Sequence, residues 1–217
     1  MNAPSRPRSR EIRILVTGFA PFPGAPRNPT QTMIAALERR RARFARLGVE
    51  LRLAVLPVSF AQVGDALAAA AGAREPDAIL CFGLARRRAR VSVEVLARNR
   101  LGRLRPDADG AYAPCARVER GAPAILRASA PSAQILERLA RAGFRAGLSS
   151  DAGDYVCNQA LFLSLRGARR ALVGFLHVPP PRRLRAPPLR PGEACADLAV
   201  AAILAILPAA RKRSGAS

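Results

Sequence analysis

A single-domain α/β fold, a three-layer αβα sandwich around a largely parallel mixed sheet, is what this sequence predicts, and three observations predict it. Short apolar and β-branched runs recur between longer helical patterns along most of the chain. Strands interleaved with helices assemble as a parallel sheet between helical layers, because each crossover helix must bury its apolar stripe on a sheet face. One run, residues 78–82 (AILCF), is apolar throughout, as a central strand covered on both faces must be. Finally, 217 residues with 50% hydrophobic content suffice for one sizeable core.

The elements follow in order. Residues 1–11 read as a disordered basic arm, since MNAPSRPRSR lacks the apolar stretch of a signal peptide. The domain proper is expected over 12–208. Residues 12–17 (IRILVT) form a buried strand ending at Gly18, followed by a Gly- and Pro-rich loop carrying Phe19 and Phe22. One helix is expected from Thr30, whose hydroxyl caps it, through Arg46, with Arg39, Arg40, Arg41 and Arg43 as a solvated outer face. A strand at 50–56, a helix at 61–71 and the strand at 78–82 come next. Residues 91–96 (VSVEVL) alternate, turning Val91, Val93 and Val95 one way and Ser92, Glu94 and Leu96 the other. Residues 99–123 read as a long excursion ordered mainly by packing. A helix at 132–142, a strand at 144–149, a helix containing Cys157 and a strand at 171–178 restore the alternation. The proline-rich 179–191 is not a regular element, a helix at 193–207 closes the domain, and 209–217 is a tail.

Composition narrows the functional classes. A formal charge of +21 suggests phosphate binding. The arginines are scattered, however, only one lysine is present, and aromatic residues make up 5% with no Trp, so a stacking platform for nucleic acid is disfavoured. Cys81, Cys115, Cys157 and Cys195 lie far apart with no C-x-x-C pair, which argues against a zinc site and a disulfide framework. No metal or cofactor is expected. No apolar run reaches the ~18 residues of a membrane span. A reduced, cytoplasmic protein is the expectation.

The stretch 149–165 (SSDAGDYVCNQALFLSL) places Cys157 near a helix start, where amide groups favour thiolate over thiol. A lone cysteine beside an apolar run is more often core than nucleophile. His177, the only histidine, follows twenty residues later in GFLHVPP. Gly18, Gly83, Cys157 and His177 all fall at or just after strand ends, where ligand crevices of such sheets form.

Five separated segments resemble the pyroglutamyl peptidases, also called pyrrolidone-carboxylate peptidases. GFAPFPGAPRNPT resembles their first loop, LPVSF their second-strand exit, GLARRRARVSVEVLARN their glutamate segment, DAGDYVCN their nucleophile segment and GFLHVPP their histidine segment. The set, in one order from Ile12 onward, carries the specificity. The resemblance implies a cysteine peptidase that removes N-terminal pyroglutamyl residues from peptides through the triad Glu94, Cys157 and His177. It implies that Phe19 and Phe22 sandwich the lactam ring, that Leu84 and Val156 line the pocket and that Asn28 braces the loop. It also implies a homo-oligomer, a tetramer or dimer. The chain departs from the family at Ala20, Pro23-Gly24, Arg86-Arg87, Val95, Asp151 and Leu104; Arg103 or Arg105 stands in for the active-site arginine if the loop shifts by one residue. Asp151 is expected to oppose thiolate formation at Cys157. Two alternatives remain open: a diverged thiol hydrolase acting on another N-blocked or cyclic acyl substrate, and a non-catalytic basic binding protein.

Overall fold

The computed structural model describes residues 10–184 and 191–215. In chain order the elements are β1 (Ile12–Phe19), α1 (Pro29–Glu38), α2 (Arg41–Ala45), β2 (Val49–Leu56), α3 (Val63–Ala71), β3 (Ala78–Leu84), β4 (Val91–Glu94) and β5 (Leu96–Arg98). They continue with β6 (Ile125–Arg127), α4 (Ser132–Arg141), β7 (Ala146–Ser149), α5 (Val156–Gly167), β8 (Leu172–Val178), a 3-10 turn (Pro181–Arg183) and α6 (Pro191–Gly215). Six strands form one sheet in the order β2-β1-β3-β8-β4-β7. β2, β1, β3 and β8 are parallel, β4 runs antiparallel to β8, and β7 pairs parallel with β4. β5 and β6 make a separate antiparallel pair.

Strand alternation divides the interior into two cores. Ile12, Ile14 and Val16 of β1, Ala78, Leu80 and Phe82 of β3, and Leu172, Leu176 and Val178 of β8 face the layer of α1, α4 and α6. Leu15 and Phe19, Ile79 and Cys81, and Val173 and Phe175 face α3 and α5. With a side-chain period of two, a strand buried on both faces has no polar positions to spare, which is why the uniformly apolar β3 lies centrally. By the same parity Glu94 and His177 point to the α3 and α5 face, since Val91 and Val93 sit in the opposite core.

Several local expectations are corrected. The helix expected at 30–46 is two helices, broken at Arg39-Arg40, and Asn28 rather than Thr30 caps the first. The break turns Phe44 into the core at 1% exposure while Arg39 and Arg40 pair with Glu193 of α6. The basic face is therefore partly an interhelical seam. The strand expected at 91–96 divides into β4 and β5, which join different sheets. The excursion at 99–123 is held by buried polar side chains as much as by packing: Asp107 accepts the amides of Phe60, Asp109 and Ala111, and Asn99 bonds the backbone of Glu119 and Ala122.

α6 does not stop before Pro208. It runs to Gly215, so positions 209–215 of the expected tail are helical. The missing proline N–H removes one helical bond; burial of Ala210 and bonds from Arg211 to the Leu47 carbonyl and from Ser214 to Asp77 hold the last turns in place. By length and composition Glu193–Gly215 would also cross a bilayer, contrary to the expectation that no apolar run is long enough. Here it packs as a helix of one core, its apolar side against α1, α4 and the sheet and its charged residues Glu193 and Asp197 paired with arginines at the junction of α1 and α2. Residues 1–9 of the expected N-terminal arm and 185–190 of the proline-rich segment lie outside the described residues; Arg10 pairs with Asp77 at 3.0 Å.

Candidate active site

β8 and β4 bring His177 and Glu94 together. Their antiparallel register sets Ser92 beside His177 and Glu94 beside Phe175, so Glu94 and His177 are diagonal neighbours on one face. The His177 Nδ1 lies 2.8 Å from Glu94 Oε1, with Glu94 fully buried and His177 6% exposed. A carboxylate only accepts, so Nδ1 carries the proton and Nε2 is left as a base. Glu94 is thus a buried charge on an interior strand, not a solvent-facing one. Its second partner is Arg88, whose guanidinium donates to the same Oε1 at 2.6 Å and to the Asp151 carbonyl at 2.6 Å.

Cys157 arrives from the other layer. Tyr155, in extended backbone conformation, precedes the first residue of α5, and Cys157 is the second residue of that helix. The first helical N–H groups have no intrahelical acceptor and converge there. The thiol lies over the β3–β8 seam: a Cβ on Gly83 would come within 2.8 Å of the Cys157 sulfur, and Gly83 is paired in register with His177. Glycine at 83 thus makes room for the sulfur beside the strand that carries the imidazole. Asn158 anchors this end of the helix, accepting from the Arg98 N–H and donating to the Arg98 and Arg100 carbonyls.

The expected low thiol pKa is not what the structure shows. Burial, with the neighbouring Cys81 and Glu94, pushes Cys157 up to about 12, while Arg105 and Arg88 pull it down. Desolvation disfavours the charged form more than the helix start favours it. That direction favours the neutral thiol, so attack calls for a base to take its proton. Asp151, expected to oppose ionisation, is not among the groups that act most on the thiol. Its carboxylate lies 3.8 Å from Arg100 and 4.0 Å from Arg98 and accepts the Gly153 N–H.

Cys157 and His177 both line a cleft of about 1190 Å³, together with Phe19, Phe22, Asn28, Leu84 and Val156. Phe19 is buried against Phe175, ring centres 6.3 Å apart. Asn28 braces the loop from both sides, donating to the Ala20 carbonyl and accepting from Thr30, whose hydroxyl accepts the Phe19 N–H. Tyr155 was missed from sequence. Its ring meets Phe22 at 6.5 Å and Phe60 edge-on at 5.3 Å, and its hydroxyl donates to the Pro106 carbonyl. An amphipathic aromatic two residues before the cysteine was the available signal. Of the two arginines weighed, Arg105 lines the cleft, 5.0 Å from the Tyr155 ring and 3.3 Å from Asp154. Among the described residues, no group of three His, Cys, Asp or Glu is placed to hold a metal.

The family model of the pyroglutamyl peptidases matches residues 12–212, nearly the whole chain. The chain belongs to the pyroglutamyl peptidase family. Among curated relatives, the pyrrolidone-carboxylate peptidase of Halalkalibacterium halodurans is 33% identical over 179 residues, 80% of this chain and 86% of the relative. That of Gloeobacter violaceus is 34% identical over 193 residues, 87% and 90% of the two chains. The crystal structure of pyrrolidone carboxyl peptidase from Thermus thermophilus superposes with a TM-score of 0.76 at 38% identity, covering 88% of this chain and 98% of that one. A mutant pyrrolidone carboxyl peptidase from Pyrococcus furiosus superposes at 0.79 with 27% identity, covering 91% and 99%. Similarity to these peptidases thus extends across the β-strands and helices that carry Glu94, Cys157 and His177.

Proposed function

We propose that the protein is a pyroglutamyl peptidase I, a cysteine-type omega-peptidase that hydrolyses the N-terminal pyroglutamyl residue from peptides. The observation that carries the reading is the buried 2.8 Å Glu94–His177 contact opening onto the same cleft as the Cys157 thiol. His177 Nε2 takes the thiol proton as the sulfur attacks the pyroglutamyl carbonyl, and the amides at the start of α5 receive the charge that develops on oxygen. The imidazolium protonates the departing amine, leaving a thioester on Cys157; water, activated by the neutral imidazole, then releases pyroglutamate and restores the thiol. Glu94 orients the ring and stabilises its charged form, and Arg88, 2.6 Å from the same oxygen, holds the carboxylate in place.

Pyroglutamate is a flat, uncharged lactam without a free amine. Apolar and aromatic walls from Phe19, Phe22, Leu84, Val156 and Tyr155 suit it, and the cleft floor needs no carboxylate to hold an ammonium. Release of a fluorogenic amine from a pyroglutamyl amide tests the assignment: turnover should be abolished by Cys157→Ala and by thiol alkylation. Turnover of other N-acyl amides without the pyroglutamyl one would favour a diverged thiol hydrolase instead. The same reading includes a cytoplasmic location, supported by four unpaired cysteines, and a homo-oligomer, dimer or tetramer, supported by exposed Leu104, Ile125 and Leu148. Light scattering after size exclusion should give a mass above that of one chain.

A further inference from the structure

The cleft mouth carries charge that hydrolysis of an uncharged lactam does not use. Arg27 on the first loop, Arg86 and Arg87 after β3, and Arg182 in the 3-10 turn all line the cleft and are exposed. Among the described residues, no carboxylate lies within ion-pair distance of any of the four. The cleft's two aspartates are already engaged, Asp151 with Arg98 and Arg100 and Asp154 with Arg105. Arg88, between the rim and the interior, is committed to Glu94.

The four cations are also held together by the backbone. The Arg86 guanidinium lies against Gly24, where the loop adopts φ +82°, so the loop bearing Arg27 and the segment bearing Arg86 meet. Arg183 donates to the carbonyls of Arg87 and Arg88 at 3.3 and 3.4 Å, which docks the Arg182 turn on the same segment. The lactam enters ring first, and its carbonyl must reach the sulfur inside the cleft. The rest of the peptide therefore leaves through the mouth, past these side chains.

We propose that the arginine rim selects pyroglutamyl peptides bearing a carboxylate within the first one or two residues after the pyroglutamyl group. Guanidinium and carboxylate form charge-assisted, often bidentate hydrogen bonds, and a rim of one sign raises the local concentration of oppositely charged substrate. Arg39, Arg41, Arg141 and Arg166, away from the cleft, show the pairing a carboxylate would make with such a rim.

This inference rests on the pyroglutamyl peptidase reading, and the experiment separates the two. Hydrolysis rates are measured for pyroglutamyl-Glu, pyroglutamyl-Gln and pyroglutamyl-Lys peptide amides, with a pyroglutamyl arylamide alongside, at low and high salt. The expected order is Glu over Gln over Lys, with kcat/KM for Glu about tenfold above Gln at low salt and the gap narrowing as salt screens the rim. The variant Arg27→Gln/Arg87→Gln/Arg182→Gln, which touches only exposed side chains, should bring the Glu-to-Gln ratio close to one. Equal rates on all three peptides, or a ratio insensitive to salt and to the variant, overturn the inference and leave the activity standing. No thiol-dependent turnover of any peptide or of the arylamide overturns both.

Discussion

At the scale of single residues, Cys157 and Asp151 show how neighbours outweigh sequence proximity. Asp151 stands six residues before the thiol, and a carboxylate so placed was expected to oppose ionisation. Its charge is instead shared with Arg98 and Arg100, while the groups that do act on the sulfur, Cys81, Glu94, Arg88 and Arg105, come from elsewhere in the chain. Asp151→Ser should therefore leave the pH profile of Cys157 alkylation unchanged. Alkylation should be slow near neutral pH and accelerate with pH toward the raised value of about 12. A profile shifted downward in the variant would return Asp151 to the mechanism. His177 and Glu94 were legible as residue types in motifs. Their 2.8 Å contact and the burial of Glu94 were not, because both depend on which strands are neighbours.

At the scale of elements, the start of α5 is set by one amide side chain. Asn158 satisfies an N–H and two carbonyls of 98–100 from a fully buried position. Asn158→Ala would strand those three backbone groups without overfilling the site, at a cost of about 3 kcal/mol in unfolding free energy. Urea denaturation should report that loss, together with a fall in kcat, since the helix start that presents Cys157 would lose its tie to β5. The elements themselves were largely readable from period and punctuation. The misreadings have local causes: the helix break at Arg39-Arg40 follows from the burial of Phe44 and pairing to α6, and the passage through Pro208 follows from anchoring of the last turns. Propensity is a weak prior against such contacts.

At the scale of the whole molecule, a sheet covered on both faces makes titration of its buried thiols a stability term. Cys195, on α6 in the core, is pushed up to about 12 by burial, against an ordinary 9.0. The folded state keeps a proton that the unfolded chain releases, so this contribution is complete below pH 9 and is lost as pH rises toward 12. Over that window stability should fall by up to about 1.4 kcal/mol per pH unit from this group. Chemical unfolding at pH 8 and pH 10.5 should show a smaller drop for Cys195→Ala than for the native chain; equal drops would remove Cys195 from the alkaline limb. The surplus of arginine belongs to this scale too. Scattered in sequence, it becomes a functional candidate only where loops from three parts of the chain meet at the cleft mouth.

From residue patterns came the α/β class and the two-sided burial of β3, because strand and helix period are local along the chain; Glu94, Cys157 and His177 came as a set only from the resemblance to the pyroglutamyl peptidases. Tertiary structure decided the antiparallel β4 that sets Glu94 diagonal to His177, the room that Gly83 leaves for the thiol, the engagement of Asp151 and the aromatic wall supplied by Tyr155. These depend on strand order and on which charges share a low-dielectric space. Strand neighbours are chosen by the fold as a whole, and Coulomb interactions follow distance in space, not separation along the chain.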